Sequence, residues 1–228
     1  MAAGEGTRLR PLTECWPKPV LPIDGRPVIA TLLRELAGAE CERVVVVTGH
    51  LAEQVEELVG DGSAFGLDVR TVRQPDVLGS ADAVKRALAA GAEPPCLVLA
   101  ADTVFTPGDI GRFARSFARS GAAGAMSGRR DPPAEAPHRA AIEIVDGLVV
   151  KPIDDDPGNP VGSAPLWAIG RELLPFLAEL PGPPFELGLA FERAIASGLA
   201  VAGLEIGKTR DLTHPIDLVR ENFTYLES

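Results

Sequence analysis

The chain has 228 residues, of which 46% are hydrophobic and only 5% aromatic, and its formal net charge is −10. This size suits one large α/β domain or two small ones with an aliphatic core, and the acidic balance disfavours general nucleic-acid binding, because phosphates would be repelled. The sequence has no apolar run of transmembrane length, no signal-peptide pattern and three well-separated cysteines, so we expect a cytoplasmic protein with free thiols and no membrane partner.

The chain opens with a glycine-containing turn over residues 2–7, followed by Arg8 and then by Lys18 between two prolines. Glycines let a backbone approach a phosphate closely, because no side chain stands in the way. Arginine and lysine stabilise charge on a transferring phosphoryl group. The third glycine of a dinucleotide fingerprint and the Gly-Lys-Ser/Thr of a Walker loop are both absent, so the turn matches neither class.

Strands and helices are predicted to alternate through the first half of the chain. Hydrophobic spacing predicts helices over 28–38, 51–59, 80–90 and 107–120, and strands over 43–48, 67–72 and 96–101. The β-branched run 43–48 is typical of a strand buried on both faces of a parallel sheet. This order predicts a doubly wound α/β sheet that binds ligands at the carboxyl ends of its strands.

The pattern changes after about residue 127. A Pro-rich polar loop is predicted over 129–137, and a solvated acidic loop over 154–160. Further strands are predicted over 140–145, 148–151, 166–169 and 200–206, and helices over 173–180, 187–197 and 215–223. With no internal repeat and no linker, the second half is expected to extend the same sheet and cover its mouth.

The string Ala2-Ala3-Gly4-Glu5-Gly6-Thr7-Arg8-Leu9, followed by Pro17-Lys18-Pro19, resembles the signature of the sugar-1-phosphate nucleotidyltransferases, also called nucleoside-diphosphate-sugar pyrophosphorylases. The resemblance implies a Rossmann-like three-layer α/β/α sandwich with a mixed, mostly parallel sheet. It also implies an enzyme that joins an NTP to a sugar 1-phosphate with Mg²⁺ as cofactor. The whole chain would then be one domain, with a nucleotide-binding half over 1–127 and a sugar-phosphate-binding half over 128–228.

The resemblance also assigns roles at the nucleotide end. Arg8 would contact the β- and γ-phosphates and Lys18 the sugar phosphate, as the catalytic cations. The implied nucleotide-binding residues are Ala3, Gly4, Gly6, Thr7, Gln74, Gly79 and Ser80. In the family such a glutamine reads the edge of the base, commonly a pyrimidine, which favours dTTP or UTP, and a side-chain amide offers both a donor and an acceptor. The alternative is a surface glutamine, with Ser80 as the N-cap of the helix 80–90.

Two aspartates are candidate magnesium ligands. Asp102 follows the buried strand 96–101, where a side chain faces the ligand crevice, and carboxylates are hard oxygen ligands suited to Mg²⁺. Asp211 stands in a string that resembles the family pattern Trp-x-Asp-Ile-Gly-Thr-Pro, although the Trp and the Gly are missing here. For both residues the alternative is an aspartate that caps the next loop or helix.

The sugar end resembles the family least. Lys151 and Glu186 are the implied sugar-binding residues, but the Glu that often precedes Lys-Pro is replaced by Val150. These departures leave two alternatives open. One is a nucleotidyltransferase for another acceptor, such as phosphocholine, a different alcohol phosphate or a molybdenum-cofactor precursor. The other is a non-catalytic regulatory homologue that binds nucleotide sugars. His50, His138 and His214 are scattered, and His50 is predicted to be a loop residue without a role.

The start of the chain carries a further expectation. In the family, a short apolar strand at the centre of the sheet precedes the phosphate turn, and Met1 stands where that first strand would end. We therefore expect a gap between neighbouring strands and a phosphate turn that is held less firmly. The expected partners are an NTP and a sugar 1-phosphate, and a homo-oligomer is compatible with the sequence.

Overall fold

The computed structural model describes residues 1–130, 141–156, 158–178 and 180–223. Within these ranges the helices are α1 Leu12–Cys15, α2 Val28–Gly38, α3 Ala52–Val59, α4 Ser80–Ala89, α5 Asp109–Ser120, α6 Leu187–Ala196 and α7 Pro215–Arg220. The strands are β1 Pro22–Ile23, β2 Arg26–Pro27, β3 Arg43–Thr48, β4 Asp68–Arg73, β5 Cys96–Leu99, β6 Thr103–Val104, β7 Gly124–Arg130, β8 Ala141–Val145, β9 Leu148–Asp154, β10 Val161–Ile169, β11 Val201–Glu205 and β12 Arg210–Asp211. Short 3-10 helices cover Thr7–Leu9, Lys18–Val20, Ser63–Phe65 and Arg171–Leu177.

A six-stranded sheet in the order β5-β10-β7-β11-β9-β8 forms the centre of the molecule, and β3 pairs with β4 beside it. The sheet is mixed, as predicted, but the expectation of mostly parallel pairing is wrong. Parallel pairing joins β7 to β11 and β3 to β4, whereas the other pairings of these strands are antiparallel. The reason is that β10 inserts in the opposite direction between β5 and β7.

Helices cover both faces of these strands. Neighbouring strand residues point to opposite sides, and consecutive apolar residues therefore need a helix on each face. Leu99 packs in one cluster with Leu33 of α2 and Phe113 of α5. Val98 packs in another cluster, with Val84 of α4 and Phe191 of α6. Fully burying each such side chain stabilises the fold by about 1.5–3 kcal/mol. The result is a three-layer α/β arrangement.

Strand β7 is not predicted from the sequence. The strand contains glycine, alanine and serine, which have low β-propensity, so its pattern resembles a loop. The structure explains the small residues: an added Cβ on Gly124 would lie 2.3 Å from a methyl of Leu173, and one on Gly128 would lie 2.6 Å from a methyl of Val161. The predicted loop 129–137 is corrected at its first two residues, which belong to β7, and 131–137 lie outside the described residues.

Two other local predictions are corrected. Strand β9 continues to Asp154, whose side chain is buried rather than solvated. Asn159 donates a hydrogen bond of 2.7 Å from Nδ2 to the Asp154 carboxylate, and this bond lowers the pKa of Asp154. The predicted helix 173–180 is instead the 3-10 helix Arg171–Leu177, which contains Pro175. Proline lacks the backbone N–H that an α-helix requires in its interior.

Strands β3 and β5 lie on either side of a slot rather than pairing with each other. Residues 1–2 lie at its upper end: Ala2 forms a parallel bridge to Thr48, and the carbonyl of Met1 accepts a hydrogen bond from the Ala101 N–H. Behind Met1 is a cavity of about 480 Å³, lined by apolar side chains of β3, β5, α2 and α4. The space is partly open to solvent, so it forms a slot between the two strands rather than a closed void.

Two expectations about the whole chain can be compared with the described residues. None of their helices is both long and apolar enough to span a bilayer. The three cysteines, Cys15, Cys41 and Cys96, form no disulfide, as predicted. Burial raises the pKa of the Cys96 thiol to about 11 and also raises that of Cys41, so both remain protonated thiols at neutral pH.

Candidate active site

The glycine-containing turn begins at the carboxyl ends of β3 and β5. The Ala2 N–H donates a 2.7 Å hydrogen bond to the Val47 carbonyl, and the chain then turns through Gly4 and Gly6 into a 3-10 helix. Gly6 has φ +62, and a Cβ there would lie 2.9 Å from the Thr13 Cγ2 atom, so the turn requires glycine at this position. A Cβ on Gly4 would meet no atom within 4 Å. Gly4 therefore presents bare backbone to the space in front of the turn.

Lys18 lies between the two predicted magnesium ligands. Its Nζ atom is 2.6 Å from Asp102 Oδ2 and 3.8 Å from Asp211 Oδ2, and its side chain is only 12% exposed. Asp102 follows β5, while Asp211 is brought alongside by antiparallel pairing of β12 with β6, in which it lies opposite Thr103. The three charged groups thus come from three separate parts of the chain.

Gln74 is buried rather than on the surface. Its Nε2 group donates to the Gly79 carbonyl at 3.1 Å and to Asp82 Oδ2 at 2.8 Å. Both N–H donors are therefore used within the protein, and among the described residues the Oε1 atom accepts no hydrogen bond. An acceptor, not a donor, is what Gln74 has left for a ligand.

Gly79 and Ser80 join the turn after β4 to the start of α6. Gly79 has φ +100, and a Cβ there would lie 2.5 Å from the Phe185 carbonyl oxygen, so only glycine fits. The alternative in which Ser80 caps its own helix is wrong, because α4 has Gly79 at the N-cap and no side-chain cap bond. The Ser80 hydroxyl instead accepts the Leu187 N–H at 2.8 Å and donates to Glu186 at 3.0 Å, at the start of α6.

These parts of the chain enclose one cleft of about 390 Å³ at the carboxyl ends of the strands. Ten of the residues predicted from the sequence line it: Ala3, Gly4, Gly6, Thr7, Arg8, Lys18, Gln74, Gly79, Ser80 and Asp102. Asp211 lies at the edge of the cleft, where it contacts Lys18. Thr213 lines the cleft, and its hydroxyl donates a 3.2 Å hydrogen bond to the Asp211 carboxylate.

The two residues predicted for the sugar do not line this cleft. Lys151 lies exposed on β9, with its Nζ 3.2 Å from Glu143 and 3.8 Å from Asp154, and the hydrogen bond to Glu143 raises the pKa of Lys151. Glu186 accepts the hydrogen bond of Ser80 and so stands one residue behind the cleft wall. Glu186 thus contacts a residue that lines the cleft, whereas Lys151 pairs with residues of β8 and β9.

Sequence reasoning missed the residues that hold the segment between Arg8 and Lys18. His50, predicted to have no role, donates from Nε2 to the Thr13 carbonyl at 2.6 Å. Gln54 donates to the Cys15 carbonyl at 2.8 Å, and the buried Thr13 hydroxyl donates to the Gly6 carbonyl at 2.9 Å. No local signal in the sequence marks these contacts, because His50 and Thr13 are 37 residues apart.

Comparison with known proteins settles the family. The family model described as nucleotidyl transferase matches residues 1–140. The chain belongs to this family. The family predicted from the glycine-containing turn is therefore confirmed, and the matched range includes the turn, Lys18 and Asp102.

Two curated relatives of this chain illustrate the range of the similarity. The N-acetylmuramate alpha-1-phosphate uridylyltransferase of Neisseria meningitidis serogroup B is 36% identical over 105 residues, which are 46% of each chain. The CMP-5'-(3-aminopropyl)phosphonate synthase of Streptomyces rubellomurinus is 33% identical over 89% of this chain and 33% of its own. The chain thus spans less than half the length of these relatives.

The fold of this chain is also found among solved structures. The UDP-glucose pyrophosphorylase from Acinetobacter baumannii superimposes with a TM-score of 0.83, covering 98% of this chain and 90% of the other at 19% identity. At this identity the likeness establishes the α/β fold alone.

Proposed function

We propose that this chain transfers a nucleotidyl group from an NTP to a sugar 1-phosphate, giving a nucleoside-diphosphate sugar and pyrophosphate. One observation carries the proposal: the cleft brings bare glycine backbone, Arg8, Lys18 and Asp102 together at the carboxyl ends of the strands. Membership of the nucleotidyl transferase family supports the reaction class.

The reaction requires alignment and charge stabilisation more than acid–base chemistry. A sugar phosphate oxygen attacks the α-phosphorus in line, and pyrophosphate leaves. A phosphate dianion is already a nucleophile, so the protein needs to align two anions and reduce their repulsion. Arg8 would stabilise charge on the leaving pyrophosphate, and Lys18 would hold the acceptor phosphate.

The residues present fit Mg²⁺. Asp102 and Asp211 already share one cation, the Lys18 ammonium, through their Oδ2 atoms. Among the described residues no group of three or more His, Cys, Asp or Glu side chains could cage a metal. Mg²⁺ is commonly held by one or two carboxylates together with substrate phosphates, which matches this pair. When bound there, the ion would neutralise phosphate charge.

The buried amide of Gln74 supports a uracil or thymine nucleotide. Its free Oε1 atom needs a donor, and both N–H groups are occupied by Gly79 and Asp82. Uracil and thymine carry an N–H donor at ring position 3, whereas cytosine carries an acceptor there and offers a donor only at its exocyclic amino group. This free acceptor, together with the family resemblance, supports UTP or dTTP as the donor substrate.

A second candidate keeps the nucleotidyl transfer and changes the acceptor to a phosphonate or another alcohol phosphate. Two observations favour it. Lys151, the predicted sugar ligand, is paired with Glu143 and Asp154 outside the cleft. The relative that aligns over 89% of this chain is named a phosphonate synthase.

Pyrophosphate release with Mg²⁺, measured for UTP, dTTP, CTP, ATP and GTP against several acceptors, tests both candidates. The acceptors are glucose 1-phosphate, N-acetylglucosamine 1-phosphate, phosphocholine and 3-aminopropylphosphonate. Turnover with a sugar 1-phosphate and UTP or dTTP is the expected result. Turnover only with the phosphonate or phosphocholine selects the second candidate. No turnover with any pair, together with tight binding of a nucleotide sugar, contradicts both and favours the regulatory homologue.

A further inference from the structure

Arg210 connects two segments that are far apart in the sequence. Its Nη1 and Nη2 atoms donate to the two carboxylate oxygens of Asp24 at 2.6 and 3.0 Å. Its Nε atom donates to Glu221 Oε2 at 2.5 Å, and Nη2 also donates to the Glu221 carbonyl at 3.2 Å. The hydrogen bond to Arg210 lowers the pKa of Asp24. Bidentate pairs of this kind fix geometry more firmly than single ionic contacts.

Backbone and amide contacts extend this connection between the β1–β2 hairpin and the end of α7. The Asp24 N–H donates to the Glu221 carbonyl at 3.2 Å. Asn222 accepts the Gly25 N–H at 2.8 Å and donates to the Pro22 carbonyl at 2.8 Å. We call this set of contacts around Arg210, Asp24, Glu221 and Asn222 the Arg210 latch.

Both segments that the latch joins are close in sequence to residues of the candidate cation site. Asp211 follows Arg210 on β12, and the hairpin that contains Asp24 begins two residues after the 3-10 helix Lys18–Val20. Successive residues of a strand point to opposite sides, so Arg210 turns to the latch while Asp211 turns to Lys18. Strand β12 has only two residues, and two register pairs with β6 are weak support for a charged side chain.

We propose that Arg210 is a positioning residue that holds the Asp211 carboxylate in the candidate cation site. The inference rests on the proposed function, since it takes Asp102 and Asp211 as the cation ligands. Groups that orient a ligating side chain from behind typically change metal affinity by about 10- to 100-fold when they are removed. An ordinary surface ion pair would instead affect stability slightly and leave the cation affinity unchanged.

The matched control is Arg130, which donates to the Glu205 carboxylate from Nε and Nη2 at 3.1 and 2.8 Å. Binding of Mn²⁺ alone to the full chain can be measured from the electron paramagnetic resonance signal of the free ion, alongside the thermal unfolding midpoint. We expect Arg210→Met to raise the Mn²⁺ dissociation constant about tenfold. We expect Arg130→Met to leave that dissociation constant within twofold. Both variants should lower the unfolding midpoint by about the same amount, because each loses one paired arginine.

Reference variants separate the two proposals. If Asp102→Asn and Asp211→Asn bind Mn²⁺ as the parent does, the cation site itself is wrong. If those two variants lose binding and Arg210→Met does not, the positioning role is wrong. Should Arg210→Met fail to fold, Asn222→Ala removes the amide contacts to Gly25 and Pro22 and changes no charge. A dissociation constant raised several-fold in Asn222→Ala supports the latch, and an unchanged one overturns it.

Discussion

A strand-length extension at Met1 should stabilise the 228-residue chain, and more at pH 6 than at pH 9. The Met1 amine is buried and donates a 2.7 Å hydrogen bond to the Leu99 carbonyl. Burial lowers the pKa of this amine from 8.0 to about 6, although the negative charge of Asp102 acts in the opposite direction. An added residue would convert the amine into a neutral amide beside the apolar slot between β3 and β5.

The magnitude follows from the pKa of the amine. A depression of about two pH units corresponds to about 2.7 kcal/mol, at about 1.4 kcal/mol per unit. Because the folded pKa is below the unfolded one, the unfolded chain binds more protons between pH 6 and pH 8. The parent is therefore free of this penalty above pH 8 and carries it fully below pH 6. For a chain of this size, about 2.7 kcal/mol corresponds to roughly 5–10 °C in the unfolding midpoint.

Thermal unfolding at pH 6 and pH 9 measures the effect in three proteins: the parent, the parent with an acetylated amine, and a variant with five apolar residues before Met1. Acetylation removes only the charge, so it should help at pH 6 and not at pH 9. The apolar extension should add a gain at both pH values, because it can pair with the edges of β3 and β5, and it should tighten nucleotide binding.

The lining of the slot suggests a further control, an extension of the same length without apolar side chains. The mouth of the slot is lined by Glu40, Glu42, Arg43 and Glu93, so charged groups there are confined to the end away from Met1. A five-residue Gly-Ser extension matches the apolar one in length but buries no apolar side chain. Equal midpoints for the apolar and Gly-Ser extensions at both pH values would contradict this prediction, because the slot would then not accept an apolar strand.

Three further predictions concern the cleft. Arg8→Ala should lower the rate of pyrophosphate release by about 100- to 1000-fold with an unchanged unfolding midpoint, and a near-normal rate would contradict the proposed function. Gly4→Ala should leave the unfolding midpoint unchanged and weaken nucleotide binding measured by calorimetry. Gly6→Ala should destabilise the fold by roughly 1–3 kcal/mol, because Gly6 has a positive φ and lies close to the Thr13 methyl group. Equal midpoints for the two variants would show that the turn does not require glycine at position 6. His50→Ala should remove about 1 kcal/mol of stability and raise the KM for the nucleotide, since it frees the Thr13 carbonyl; unchanged kinetics in that variant would limit His50 to a structural role.

Sequence reasoning was most successful where the signal is local. The helices α2, α4 and α6 and the strands β3 and β5 were predicted within a few residues, because hydrophobic spacing and β-branched runs report directly on local structure. It failed at β7, whose small residues are selected by the side chains that pack against them rather than by their own propensity. The antiparallel direction of β10 could not be predicted either, since pairing direction depends on partners distant in the chain.

The family, the glycine-containing turn with Arg8 and Lys18, and the position of Asp102 after a buried strand can all be recognised without a structure. These features are contiguous strings or short-range patterns, so no partner is needed to recognise them. Three other features are visible only in the folded chain: Lys18 lies between Asp102 and Asp211, both donors of Gln74 are occupied, and Arg210 joins the hairpin to the end of α7. Each of these depends on hydrogen-bond and charge partners that meet only after the strands have paired and the helices have packed.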